Sequence, residues 1–444
     1  MKLNTAHAKT TVRTKEGAPA ARITAMQALQ RSTCSAFLWE NGFYEDGQDI
    51  AQRIEALAQD VPIEDLADLA IKLRTDAKLR HMPLLLTSVL AKRGAGKSLV
   101  ADTIDAVIRR PDEMGELLAI HAKLNGVGPD RLKSVVPAQM KKGIARAFTR
   151  FDAYQLAKYN RDGAIRLRDV MFLAHPRPAD DAQGEIWSKL IDGTLEAPDT
   201  WEVGLSTGGD KRETFTRLLQ EGKLGYLALL RNLRGMLEAG VDETLVRDAV
   251  LARKGSGNVL PFRFTAAARA CPRMESALDE ALCERVLEMP RMSGRTLVLV
   301  DVSYSMRAPL SKRSDLTRMD AAATLASVIH GDLRVFTFSQ KNIEVPSRRG
   351  MAGVDAIIAS QEHSGTRLGE AVTLANSLPH DRLIVITDEQ SRSPVPNPVA
   401  EKAYMINVAS EQHGVGYGRW THIDGFSENV LRFIHEHEAL KAEG

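Results

Sequence analysis

Cysteine is scarce in this chain of 444 residues: Cys34, Cys271 and Cys283 are the only three, and none stands in a CxxC pair. That excludes a disulfide framework and a thiolate zinc site, and it fits a reducing cytoplasm, the expected compartment. Aromatics are also few, at 5%. Long apolar runs are missing, since none approaches the roughly 18 residues of a membrane helix, so no membrane partner is expected. No apolar export segment follows Met1; residues 1–22 are polar and basic and read as a mobile arm. Net charge is nearly absent, with 59 Lys and Arg against 57 Asp and Glu, so the distribution matters more than the total.

What is present is globular: 44% hydrophobic and 26% charged residues. At about 100–200 residues per domain, the length predicts two or three domains. Ala and Leu recur throughout, which leans toward helix. Residues 45–70 carry eight acidic side chains and one basic, whereas residues 131–177 carry eleven basic and three acidic. The near-neutral total therefore conceals a basic region.

From about Thr24 to Met289 the pattern is helical. Ile50, Ile54, Leu57 and Ala58 keep helical spacing, as do Leu66, Leu69, Ala70 and Leu73. Many amphipathic helices joined by short breaks predict stacked helix pairs like HEAT repeats of about 40–47 residues. Near Arg291 the pattern changes. Thr296–Val300, Leu333–Phe338, Leu383–Thr387 and Tyr404–Val408 read as buried strands. Helical stretches at Met319–His330, Leu368–Leu378 and Glu428–His437 alternate with them, which predicts a doubly wound α/β domain beginning near Pro290.

The first strand runs into Asp301, Ser303 and Ser305, a DxSxS pattern. It sets three oxygen ligands just past a strand's carboxyl end, where open α/β sheets bind ligands. Thr366, in a loop before a helix, offers another hydroxyl, and Asp388 closes a strand with a second carboxylate. These are hard donors, suited to Mg²⁺ or Mn²⁺ and not to zinc. The same Asp and Ser residues would also serve to cap the next helix, the alternative to a metal site. This five-oxygen set resembles the metal-ion-dependent adhesion site of von Willebrand factor A domains, over about residues 291–444. Tyr304 fills a spacer position that is often small in that family and would narrow access to an ion, and Ser364 stands where glycine is common.

In the helical region Met140, Ile144, Phe148 and Phe151 form one apolar stripe. Lys142 and Arg146 fall on the opposite face, Arg150 near its edge and Lys141 at the flank, with Arg166, Arg168 and Arg177 following. These cations read either as phosphate contacts or as an ordinary solvated helix face. Tyr154 and Tyr159 lie among them and read as core, with base stacking as the other use.

Met140–Phe148, Leu156–Tyr159 and Arg168–Pro176 resemble the core of the TROVE module, as do Ala228–Arg234 and Val259–Arg263, and Thr200–Glu202 resembles bacterial members. A TROVE module followed by a von Willebrand A domain is the architecture of the Ro family. The resemblance implies a multidomain α plus α/β fold: arm 1–22, a HEAT-like helical-repeat ring over 23–290, and a Rossmann-like A domain over 291–444 holding Mg²⁺ or Mn²⁺. It implies binding of small noncoding, Y-like RNAs and of single-stranded ends of misfolded RNA, an adaptor role in RNA quality control, and an exoribonuclease partner such as polynucleotide phosphorylase. It places RNA contact on Lys141, Lys142, Arg146, Arg150, Arg166 and Arg168.

Other signals carry less. Arg93–Ser98 is similar to a P-loop, but Ala91 stands where that motif needs its first glycine. His435–Glu438 is not HExxH, and neither His121 nor His175 has a partner at metal spacing. No nucleophile and base pair up. The expectation is therefore a monomeric RNA-binding protein, not an enzyme. The alternative is a metal-dependent module whose A domain captures a partner's carboxylate on a helical scaffold.

Overall fold

The computed structural model describes residues 12–34, 47–160, 163–288, 291–310, 316–409, 411–425 and 429–443. It divides into two compact units. One is helical and spans Ala51–Val259 with Ala270–Ala277. The other holds the sheet and comprises Met1–Ile50, Leu260–Arg269 and Leu278–Gly444. The helical-repeat plus α/β class read from the sequence is what the chain adopts.

In the helical unit, packed helices bury the expected stripes, including Ile54 and Ala58 and Leu66, Leu69, Ala70 and Leu73. The helix His81–Arg93 is buried over Met82–Ala91, so it forms the centre of its layer and has no polar face there. It packs on Ile63–Thr75 and on Asp112–Leu124. The segment Leu84–Leu90 is thus helix and not the strand a P-loop requires. Local sequence sets the ends. Asp180, Thr200, Asp210 and Asp242 each sit at an N-cap and accept a backbone N–H three residues on. Asp152 and Gln155 form a reciprocal capping box that starts Ala153–Tyr159.

Six strands form the sheet of the other unit: β1 Met292–Asp301, β2 Gly331–Phe338, β3 Asn342–Val345, β4 Arg382–Thr387, β5 Lys402–Asn407 and β6 Thr421–Asp424. Their order is β3-β2-β1-β4-β5-β6, parallel except for β3, which runs antiparallel to β2. Leu297 and Leu299 of β1 join a core with Phe336, Leu383, Val385 and Met405, covered by the helix Leu368–Ser377. The helix Arg318–Ser327 also packs on β1. Each fully buried aliphatic side chain contributes about 1.5–3 kcal/mol, so continuous apolar strands covered on both faces hold the sheet together. From β1 the chain winds outward through β2 and β3, then returns to lay β4, β5 and β6 on the other side. The reversal between β1 and β4 opens a crevice at their carboxyl ends, the usual ligand position in such sheets.

Three expectations change. Strands β3 and β6 and the helix Gly350–Ile358 were not legible as elements. The described part of the expected mobile arm is bonded to the sheet unit. Thr14 Oγ1 donates to the Ser391 carbonyl at 2.8 Å, and Ala21 N–H donates to the Gly414 carbonyl at 2.9 Å. Residues 1–11 of that arm, and the boundary at Pro290, lie outside the described residues. The helix Ala25–Cys34, expected in the helical region, packs beside β6.

Candidate functional site

The hydrogen-bonded register of β1 and β4 pairs Val300 with Ile386, and so brings Asp301 and Thr387 together where both strands end. Thr387 Oγ1 donates to Asp301 Oδ2 at 2.6 Å, and the Ser303 N–H donates to Asp301 Oδ1 at 2.9 Å. The Ser303 and Ser305 hydroxyls are 3.3 Å apart. Ser303 stands at the start of the short turn Tyr304–Arg307 but makes no side-chain capping bond there, and the following helix is capped by Thr317 with Asp320. Helix capping is therefore not what the DxSxS residues do.

Thr366 is placed by its loop. Ser364 N–H donates to Ser339 Oγ at 2.8 Å, Tyr304 N–H to the Ser364 carbonyl at 2.9 Å, and Arg392 N–H to the Thr366 carbonyl at 3.3 Å. The loop is thus stitched to the segments after β1, β2 and β4. Asp388 Oδ1 accepts the Gln390 N–H at 3.0 Å, and its Oδ2 has no hydrogen-bond partner. Asp301, Ser303, Ser305, Thr366 and Asp388 are all buried. Tyr304, by contrast, is 56% exposed.

Burial pushes both carboxyls up from their ordinary range. At Asp301 the Ser303 and Thr387 hydrogen bonds oppose that rise. At Asp388 the charges of Asp301 and Glu411 add to it. Two buried carboxylates beside each other, one with an orphan oxygen, are costly unless a cation or a proton meets them. The donor set is hard oxygen throughout, so the residues fit Mg²⁺ or Mn²⁺.

Beside this cluster is a second one that the sequence reading missed. Glu389 has a positive φ of 61°, and its carboxylate is surrounded by donors. Arg31 Nη1 is 3.0 Å away, His422 Nε2 2.6 Å, and the N–H groups of Val415 and Gly416 2.8 and 2.9 Å. His422 Nδ1 faces Asp424 at 3.4 Å. Arg31 and Glu389 side chains are fully buried. No local pattern announces this network, because its members come from opposite ends of the chain.

Several of the cations singled out in the helical region are already engaged. Arg146 pairs with Asp102 at 2.6 Å, and Arg150 pairs with Asp105 at 2.9 Å while also donating to the Ile108 carbonyl. Both acids lie on Ser98–Val107, against which the helix Ala138–Phe148 packs. Arg166 and Arg168 are exposed at the start of Leu167–Ala174, where Arg168 reaches Asp169 at 3.9 Å. Lys141 and Lys142, on Ala138–Phe148, have no ion-pair partner among the described residues, and Lys142 is exposed. Tyr154 and Phe172 are exposed at 47% and 53%, so Tyr154 is surface and not the expected core. Tyr159 lies under the Arg110 guanidinium at 4.4 Å.

Among known proteins, the TROVE domain family model matches residues 193–313. That segment contains the signatures at Thr200, Ala228 and Val259 and ends past Ser305. The basic helix Ala138–Phe148 lies before it. Telomerase protein component 1 of Mus musculus is 30% identical over 141 residues, and that of Rattus norvegicus 30% over 142. In each case 30% of this chain is covered but only 5% of the relative, so the chain spans about one twentieth of their length. The crystal structure of the Deinococcus radiodurans RO (RSR) protein matches with a TM-score of 0.56 and 20% identity. It covers 88% of this chain and 93% of that one, which shows a shared fold.

Proposed function

We propose, from the premise that the chain is a Ro-like TROVE protein, that it binds small structured noncoding RNAs and their single-stranded ends and serves RNA quality control as an adaptor. The supporting observation is the rigid helix Ala138–Phe148, which presents Lys141 and Lys142 without ion-pair partners among the described residues. Arg146 and Arg150 join them, because exposed ion pairs like theirs contribute only about 0–1 kcal/mol and yield to a phosphate. Each phosphate neutralised releases counterions, so binding weakens steeply with salt and reads little sequence. Exposed Tyr154 and Phe172 offer faces for unpaired bases. The role needs no catalysis, and the chain acts as a monomer in the cytoplasm, passing RNA to an exoribonuclease.

Binding of a small structured RNA with a single-stranded tail, titrated against salt, tests this. Lys142→Glu with Arg146→Glu is expected to weaken binding at least tenfold and to lower the salt slope by about 1–2 in log units. Binding and slope equal to the parent chain would remove this helix from the RNA surface.

A second reading concerns the other unit and rests on the orphan Asp388 Oδ2. Asp301, Ser303, Ser305, Thr366 and Asp388 would hold Mg²⁺ or Mn²⁺ as in a von Willebrand A domain. The ion supplies an electrophilic docking point for a carboxylate of a partner protein. The residues themselves hold the loops in register, exclude water and keep the two acids together.

A further inference from the structure

The described end of the N-terminal arm is a small hairpin seated on the loop after β4. An antiparallel bridge joins Arg13 to Pro19, and Gly17 turns the chain at a φ of 102°. Lys15 N–H donates to Gln390 Oε1 at 2.7 Å, and Ala18 N–H to the Ser391 carbonyl at 3.2 Å. The tip thereby carries the Glu16 carboxylate to Arg392, whose Nε donates to it at 2.8 Å. The Arg392 side chain is still 60% exposed.

Arg392 belongs to a patch of donors. A Cβ placed on Gly365 would lie 2.8 Å from Gln340 Nε2 and 3.5 Å from Arg392 Nη1. The two polar ends therefore flank one point of bare backbone. Gln340 Oε1 accepts from Arg367 Nε at 3.0 Å, and Arg367 Nη1 reaches Glu370 at 3.2 Å. Tyr304 is held to the same loop by its N–H on the Ser364 carbonyl. Tyr304, Gln340, Arg367 and Arg392 are all exposed.

We propose that this patch docks an acidic peptide segment of a partner protein, and that Glu16 occupies it as an internal competitor. The occupant's chemistry is read from the group already seated there, a carboxylate on a turn of peptide. A guanidinium offers paired N–H donors that match a carboxylate, and Glu16 is bonded to Nε. An exposed pair of this kind is weak, so a partner carrying several acids can displace it. Tethering gives Glu16 a high effective concentration, which makes it a competitor all the same. The patch borders Thr366, but the inference goes beyond the ion reading and needs no ion.

Fluorescence anisotropy of a fluorescein-labelled peptide of alternating Glu and Gly, titrated with the full chain in EDTA, tests this. Glu16→Gln is expected to tighten binding about two- to fivefold, the scale of one exposed ion pair. Arg392→Gln is expected to weaken it at least fivefold, and in the double variant the gain from Glu16→Gln should vanish. Parent-like affinity in Glu16→Gln overturns the competitor, and parent-like affinity in Arg392→Gln overturns the docking patch. Should Arg392→Gln fail to fold, Arg367→Gln carries the test: weaker binding supports the patch and unchanged binding overturns it. No peptide binding by either the parent chain or Glu16→Gln overturns it too. Tighter binding of an oligouridylate of equal charge, lost in Arg392→Gln, would assign the patch to RNA and overturn the peptide. With divalent ions removed by EDTA, a failure here is distinct from a failure of the ion site.

Discussion

Glu389 occupies a left-handed backbone conformation that costs a non-glycine residue free energy, and it does so one residue after Asp388. Four donors fix it there, two of them the cations Arg31 and His422. Glu389→Gln would leave Arg31 buried without its counter-charge. Breaking a buried pair in this way costs about 3–5 kcal/mol, to be read as a lower urea midpoint. The same cluster gives a pH dependence. Burial alone would lower the pKa of His422, but the carboxylates of Asp424 and Glu389 outweigh it and raise it to about 9. The raised value means that the folded state holds the proton more tightly than the unfolded state. The stabilisation is complete below the unfolded value near 6.5 and is lost as pH climbs through about 9. Unfolding free energy should therefore fall between those limits by an amount on the order of 3 kcal/mol. In His422→Gln that slope should flatten; an unaltered slope would assign the effect to another group.

At the scale of elements, the helices Ser98–Val107 and Ala138–Phe148 cross at Gly143. A Cβ there would stand 2.7 Å from both the Ala101 carbonyl oxygen and Ile104 Cβ. Replacing Gly by Ala within a helix ordinarily gains about 1 kcal/mol. Here the obstacle is backbone, so overpacking at about 1–3 kcal/mol decides the sign. Gly143→Ala should lower the melting temperature, and a rise would show that the helices have room to separate. The close approach also puts Arg146 and Arg150 within reach of Asp102 and Asp105. The basic stripe was thus legible by its 3.6-residue period, but its partial neutralisation was not, because the acids come from another helix.

For the molecule as a whole, the proposed RNA-binding surface and the proposed ion site lie in separate compact units. Asp301→Ala should abolish Mn²⁺ binding while the RNA dissociation constant stays within twofold, measured on the same preparation. A parallel loss of RNA affinity would show that the two units are coupled. The two-part architecture was legible in the order of residues, because helical periodicity and continuous apolar strands are local signals. So were β1, β2, β4 and β5, and the five oxygen residues of the candidate site, because strand ends and turn residues are read in order along the chain. Strands β3 and β6 were not, because they are short and half-exposed, with no alternation strong enough to mark them. It took the folded chain to bring residues 12–34 to the sheet, Arg31 to Glu389 and Arg318 to Glu411. Those pairings span up to several hundred residues, and a buried charge is stable only beside a partner that the fold, not the neighbouring sequence, supplies.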